Sequence, residues 1–379
     1  MKKVFIALIL VTVMVCAFAL TACGETGVDN INIEYDASTV YGVYWYSSDG
    51  EYVRSSGNMS ADLFDASKPT FVFAHGWEPD ADNSSNGLVE DLVTHPDTIK
   101  QTGLNLDYNY AEELKDMGYN VALLGWFSYA KNLGDLFRYI WVDFDGGHAL
   151  SVRFAQELAS VLGNDYSQDV KIVGHSYGSQ LALATTYQLT KFKENGLISN
   201  QHIIPTRMTL ADPYIGMPKL INSWNNIAKS KISYTNEKIN KRTPNVLFAD
   251  QMDYIVSTND IAVDIYCGMS VASTGYYTYD GSDANFEKLS KNCAFVKSAG
   301  LMEKYGDTNI HNVTRDWVLM SIVDEVLLYE KGSDTLAPSG AASDEQIKSM
   351  RGKCYNQNYK GLSLPLDSMT LVDRTSEKY

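Results

Sequence analysis

Apolar positions along this chain fall into two kinds of run, short continuous ones and longer ones at helical spacing. Tyr41 to Val53 alternates apolar and polar residues around Ser47-Ser48-Asp49-Gly50, which predicts a β-hairpin. Pro69 to Trp77 and Tyr119 to Trp126 are continuous apolar runs, as expected of strands buried on both faces. Val170-Lys171-Ile172-Val173 and Met208-Thr209-Leu210-Ala211 read as further strands, and so do Val246 to Asp250 and Tyr254 to Thr258. Helices are predicted over Leu88–His95, Tyr110–Met117, Leu150–Leu162, Gln180–Lys193 and Thr314–Leu328. In Leu150–Leu162 the apolar spacing runs through Val152, Phe154, Ala155, Leu158 and Leu162. The alternation implies an α/β chain with a mostly parallel central sheet and helices on both faces.

Both ends lie outside this pattern. Met1-Lys2-Lys3 is a positive start, Val4 to Leu20 is apolar and uncharged, and Thr21-Ala22-Cys23 closes the run. That is the build of a secretory signal segment, too short for an ordinary spanning helix. Leu20-Thr21-Ala22-Cys23 resembles the lipobox of bacterial lipoproteins. The resemblance implies a signal peptide over 1–22, lipid attachment at Cys23, a tether over 23–40 and an extracytoplasmic, membrane-anchored location. The folded domain is expected over 41–332. Glu330 to Ser343 is Gly/Ser/Ala/Pro-rich and reads as a linker. Residues 333–379 then form a C-terminal extension of no evident role, with a short helix at Asp344–Met350 and a strand near Leu362–Leu371.

Charge narrows the partners. The formal net charge is −15 over 379 residues. A nucleic-acid phosphate backbone would repel such a chain, so no nucleic-acid partner is expected. Of five cysteines, Cys267, Cys293 and Cys354 remain after the signal segment and the lipid site. In an oxidising compartment Cys267 with Cys293 is the pairing expected. No Cys/His cluster has metal-ligand spacing, and no metal or cofactor is expected.

The chemistry centres on Gly174-His175-Ser176-Tyr177-Gly178, between a β-branched run and an Ala/Leu-rich one. Strand, tight turn and helix in that order present the central Ser in strained backbone at the sheet edge. Ser176 is therefore the candidate nucleophile, and the Tyr177 N–H at the helix start is a candidate oxyanion donor. A second donor is expected from the Trp77 N–H, after His75-Gly76. A serine hydroxyl needs a histidine to take its proton and an acid to orient that histidine, and in such folds they follow in the order Ser, acid, His. Of six histidines only His202 and His311 follow Ser176. An acid between Ser176 and His202 would leave no room for the intervening strand, so His311 is the expected base, on a loop before the last helix. Asp212 and Asp260 both end strands and are equally good acids on this reading, with Asp250 and Asp253 behind them.

These segments together resemble the α/β-hydrolase superfamily, and within it the chain is similar to the pancreatic-type lipase family. Phe71 to Trp77 resembles that family's His-Gly oxyanion turn, and Val173 to Ser179 its Gly-His-Ser elbow. Leu210-Ala211-Asp212-Pro213 resembles its Leu-Asp-Pro acid segment, with Ala211 where Leu is usual. Asp250 to Thr258 resembles a stretch ending Ile-His-Thr, with Ser257 replacing His. His311 to Arg315, with Ser321-Ile322 beyond, resembles the segment around the family's base. The likeness spans about Thr70 to Leu328. It implies an α/β-hydrolase fold, an ester or lipid substrate, Asp212 as the acid with Asp260 in reserve, and a lid between Cys267 and Cys293 carrying Tyr276, Tyr277 and Tyr279. No C-terminal lipid-binding sandwich is evident. The same nucleophile would also serve a peptidase, thioesterase or acyltransferase, and a hydrolase shell could serve a non-enzymatic surface-binding lipoprotein.

Overall fold

The computed structural model describes residues 41–55, 59–76, 109–126, 136–142, 148–215, 244–268, 283–323, 340, 342–357 and 369–372. The strands are β1 (Gly42–Tyr46), β2 (Tyr52–Arg54), β3 (Thr70–Ala74), β4 (Asn120–Gly125), β5 (Val170–His175), β6 (Arg207–Ala211), β7 (Ala262–Cys267), β8 (Ala294–Lys297), β9 (Cys354–Gln357) and β10 (Met369–Val372). The helices are α1 (Tyr110–Asp116), α2 (Leu136–Trp141), α3 (Leu150–Leu162), α4 (Gly178–Glu194), α5 (Pro244–Asn259), α6 (Asp283–Ser290), α7 (Ala299–Val323) and α8 (Asp344–Ser349).

Among the described residues one sheet runs β10-β9-β8-β7-β6-β5-β3-β4-β1-β2. β3 through β9 are mutually parallel, while β1 and β2 form the expected antiparallel hairpin on one side and β10 lies antiparallel to β9 on the other. Side chains alternate through the sheet with a period of two. Val72, Ala74, Ala122 and Leu124 join one apolar layer, with α3, α4 and α5. Phe71, Phe73, Val121 and Leu123 join the other, with α1, α7 and α8. This is an α/β-hydrolase-like fold. Each fully buried large side chain in these layers, such as Trp45 or Trp317, contributes about 1.5–3 kcal/mol relative to exposure.

The chain passes from β3 outward to β4 and then returns to place β5 on the other side of β3. At such a switch point the loops leaving neighbouring strands diverge and open a crevice at their carboxyl ends. The carboxyl ends of β3, β5, β6 and β7 carry His75, Ser176, Asp212 and Gly268.

Three expectations are corrected. Val246 to Thr258 is not two strands but part of α5. Its buried Leu247, Phe248, Gln251, Met252, Ile255 and Val256 fall at helical spacing, so the whole run forms one face toward α4 and α6. The helix expected from Thr314 starts instead at Ala299, as α7, and His311 lies inside it rather than on a loop. Cys267 and Cys293 are both buried and are not joined to each other. Cys267 pairs in register with Lys297 while Cys293 lies four positions earlier, roughly 13 Å along the strand, beyond the reach of a disulfide.

The C-terminal residues join the sheet and are stitched to its middle. Arg207 on β6 forms a buried ion pair with Asp264 on β7, Nη2 to Oδ2 at 2.7 Å. Thr209 and Tyr266 donate to the same carboxylate at 2.8 Å each. The other end of the guanidinium donates to the carbonyls of Gly340 and Ala342. The helix expected at Asp344–Met350 is α8, opened by a capping box between Ser343 and Gln346. Residues 1–40, the Leu88–His95 helix, the lid tyrosines and most of the linker lie outside the described residues. Among the described residues no helix is long and apolar enough to cross a membrane.

Candidate active site

The elbow begins where β5 meets α4. The Ser176 N–H continues the β5–β6 ladder onto Ala211 at 3.1 Å, and the Ser176 carbonyl accepts from Ser179 at 3.1 Å and Tyr214 at 3.0 Å. Held at both ends, Ser176 has φ of +55°, a left-handed conformation that costs a non-glycine residue about 1–2 kcal/mol. The turn is this tight because α4 starts directly against β3. A Cβ at Gly178 would overlap the Ala74 carbonyl oxygen, so only glycine fits. Helix α4 is buried from Gly178 through Thr190. Three of its hydroxyls bond back to the backbone, Ser179 to Gly174, Thr186 to Ala182 and Thr190 to Thr186.

The turn after β3 comes down onto the same spot. A Cβ at Gly76 would lie 2.8 Å from the Ser176 Cβ. His75 sets this turn. Its Nδ1–H donates to the Gly76 carbonyl at 3.0 Å, and its Nε2 accepts from the Trp126 N–H at 3.3 Å. The Trp126 indole N–H donates back to the His75 carbonyl at 3.0 Å. Trp77 lies outside the described residues. Tyr177 opens α4 with helical φ and ψ. Among the described residues nothing accepts its N–H, which leaves it available beside Ser176.

His311 and Asp212 meet across the crevice. Asp212 follows β6 with φ of +37°, and its N–H donates to the Tyr266 carbonyl at 2.6 Å. The carboxylate is fully buried. Oδ2 accepts from His311 Nδ1 at 2.6 Å, and Oδ1 accepts from the Gly268 N–H at 2.7 Å. With Nδ1 committed to Asp212, the His311 ring has Nε2 left to receive a proton. The ring is 26% exposed, so one side faces the crevice. The Ser176 hydroxyl makes no hydrogen bond to His311 here. Such contacts commonly close only when substrate is bound.

Asp260 is elsewhere. It precedes β7, at the opposite end of the sheet from Gly268, with its side chain 68% exposed and bonded to Arg351 at 2.7 Å and Lys348 at 3.2 Å. Asp250 holds Lys288, and Asp253 holds Asn292 and Lys291. The structure thus brings His75-Gly76, Ser176, Tyr177, Asp212 and His311 to one crevice and leaves the other candidate acids outside it. Gly268 was not anticipated. Its signal is a glycine closing the mostly apolar stretch Ile261 to Cys267, which Asp264 interrupts. Among the described residues no group of three or more His, Cys, Asp or Glu could hold a metal.

Two histidines here stay neutral. Burial lowers His75 to about 3, against a weaker opposing effect of its bond to Gly76. Burial also holds His175 well below the ordinary value, helped by the nearby His311 and Arg315 charges. Between pH 6.5, where the unfolded His75 takes its proton, and about 3, the unfolded chain binds the extra proton, so stability falls as pH is lowered. His75 alone contributes a slope of up to about 1.4 kcal/mol per pH unit. In His75→Gln, urea unfolding between pH 4 and 7 should show a slope shallower by about that amount. An unchanged slope would contradict the buried neutral ring.

No family model matches the chain, and no curated protein sequence matches it. Among solved structures it is similar to a lipase-esterase related protein from Clostridium acetobutylicum, at 11% identity and a TM-score of 0.25 over 60% of this chain and 79% of that one. It is also similar to esterase B from Lactobacillus rhamnosis, at 15% identity and a TM-score of 0.27 over 73% of this chain and 80% of that one. A form of that esterase inhibited by a C6-C4 SN3 compound gives 14% and 0.26, over 68% and 74%. At these scores the likenesses carry no argument, and the chemistry of this crevice is read from its own residues.

Proposed function

We propose that this chain hydrolyses carboxylic esters through an acyl-enzyme on Ser176, with an arrangement like that of the pancreatic-type lipases. The observation that carries the reading is the 2.6 Å bond from His311 to the buried Asp212, in the crevice where Ser176 is held in left-handed backbone. His311 Nε2 takes the Ser176 proton as Oγ attacks the acyl carbon. The charge that develops on the carbonyl oxygen is met by the Tyr177 N–H, with the Trp77 N–H as second donor. The intermediate collapses, His311 passes its proton to the leaving alkoxide, and the alcohol departs. A water then gives its proton to His311 and attacks the acyl carbon, and the returned proton frees Ser176. Throughout, the Asp212 carboxylate holds Nδ1–H and offsets the imidazolium charge. Rates on p-nitrophenyl esters of increasing chain length, on thioesters and on peptides test the reading. Turnover of esters above the other two classes supports it, and exclusive peptide cleavage would replace it.

The second part of the proposal concerns location. The Leu20-Thr21-Ala22-Cys23 segment supports lipid attachment at Cys23, which would tether the domain to the outer side of a bacterial membrane. In cells expressing Cys23→Ser, the protein should lose incorporated palmitate and leave the membrane fraction. Retention of both in that variant would refute the anchor.

A further inference from the structure

One hydrogen bond does not fix an imidazole. Among the described residues the His311 side chain is hydrogen-bonded through Nδ1, which leaves the aim of Nε2 to packing. The ring packed against it belongs to His175, the residue before Ser176. The two ring centroids are 4.5 Å apart at an interplanar angle of 39°. His175 Nε2 lies 3.3 Å from the His311 carbonyl oxygen. A carbonyl only accepts, so Nε2 carries the proton. His175 is itself held firmly. It is buried, ends β5 in register with Ala211, and its Nδ1 lies against the Gly76 turn, 3.4 Å from where a Cβ would stand there.

We propose that His175 is a positioning residue that braces the base: its Nε2–H on the His311 carbonyl and its ring against the His311 ring keep Nδ1 on Asp212 and Nε2 toward Ser176. This rests on the reading of Ser176 and His311 as nucleophile and base. The electrostatics agree with it. The groups facing His175 are His311 and Arg315 on α7 and His75 after β3, all cationic when charged. A protonated ring at 175 would oppose the charge that His311 takes up in each acyl-transfer step, whereas a neutral one does not. The brace also joins three parts of the crevice, because the same side chain touches the turn after β3, the elbow and the helix of the base.

Two substitutions separate the hydrogen bond from the bulk. His175→Phe keeps a ring and loses the donor. His175→Gln keeps an N–H donor near the place of Nε2. The readouts are steady-state kinetics on a short p-nitrophenyl ester and the low-field NMR signal of the His311 Nδ1 proton, identified by its loss in His311→Gln. In the Phe variant kcat should fall about tenfold, the share of one ordinary hydrogen bond, with KM little changed and the low-field signal lost. In the Gln variant both should return. Wild-type kcat and signal in the Phe variant would overturn the proposal, as would equal loss in both variants or absence of the signal from the wild type. Should the Phe variant not fold, loss of the signal in a folded Gln variant overturns it. If no form of the protein cleaves esters while the signal follows this pattern, the hydrolase reading fails and the positioning role stands.

Discussion

Replacing Ser176 with Ala is expected to lower turnover of short p-nitrophenyl esters by about 10³-fold or more, with little change in the unfolding midpoint. The substitution removes the one atom proposed to form the acyl-enzyme. It keeps the Ser176 backbone bonds to Ala211, Ser179 and Tyr214, which are made by main-chain atoms and hold the elbow. Alanine meets the same left-handed strain as serine at φ of +55°. What remains should be the weak assistance of the oxyanion donors acting on water. Initial rates on the purified variant measure it, and a rate within about tenfold of wild type would mean that another group performs the chemistry.

Asp212→Asn should be comparably costly, about 10⁴-fold in kcat, and the structure gives the reason. Asp212 Oδ1 accepts the Gly268 N–H, and Oδ2 accepts His311 Nδ1–H. In the variant the one amide oxygen is drawn to the Gly268 N–H, which can only donate. The amide NH₂ then faces Nδ1 and donates to it, so the ring proton moves to Nε2. A ring protonated there cannot accept the Ser176 proton. Asp260→Asn, by contrast, loses only exposed pairs with Arg351 and Lys348, each worth about 0–1 kcal/mol, and its kcat should stay near wild type. Reversal of this ranking in parallel kinetics would exclude Asp212 as the acid.

The parallel strands β3 to β6 and the elbow were readable in the sequence because each is a short, mainly apolar run, closed in β3 and β6 by turn residues, Gly76 and Pro213. Helix α5 was not, because Asp250 and Asp253 break its apolar run into two strand-like pieces. Only the packing against α4 shows that the pieces share one face. Strand β7 was hidden by Asp264, which reads as a polar interruption until Arg207 is found beside it at 2.7 Å. A histidine census placed His311, but its helix was masked by Gly300, Gly306 and the polar run Asp307-Thr308-Asn309. The choice between Asp212 and Asp260 depended on which end of the sheet each occupies. No local pattern records that, and it became visible only with β7 in place between Asp260 and Gly268.

The central claim is that Ser176 is an activated nucleophile. Labelling the folded protein with a fluorophosphonate probe and locating the adduct by mass spectrometry tests this without assuming a substrate. One adduct per chain is expected, on Ser176, and none in the folded Ser176→Ala variant. An unlabelled wild type, or equal labelling of the Ala variant, would contradict it.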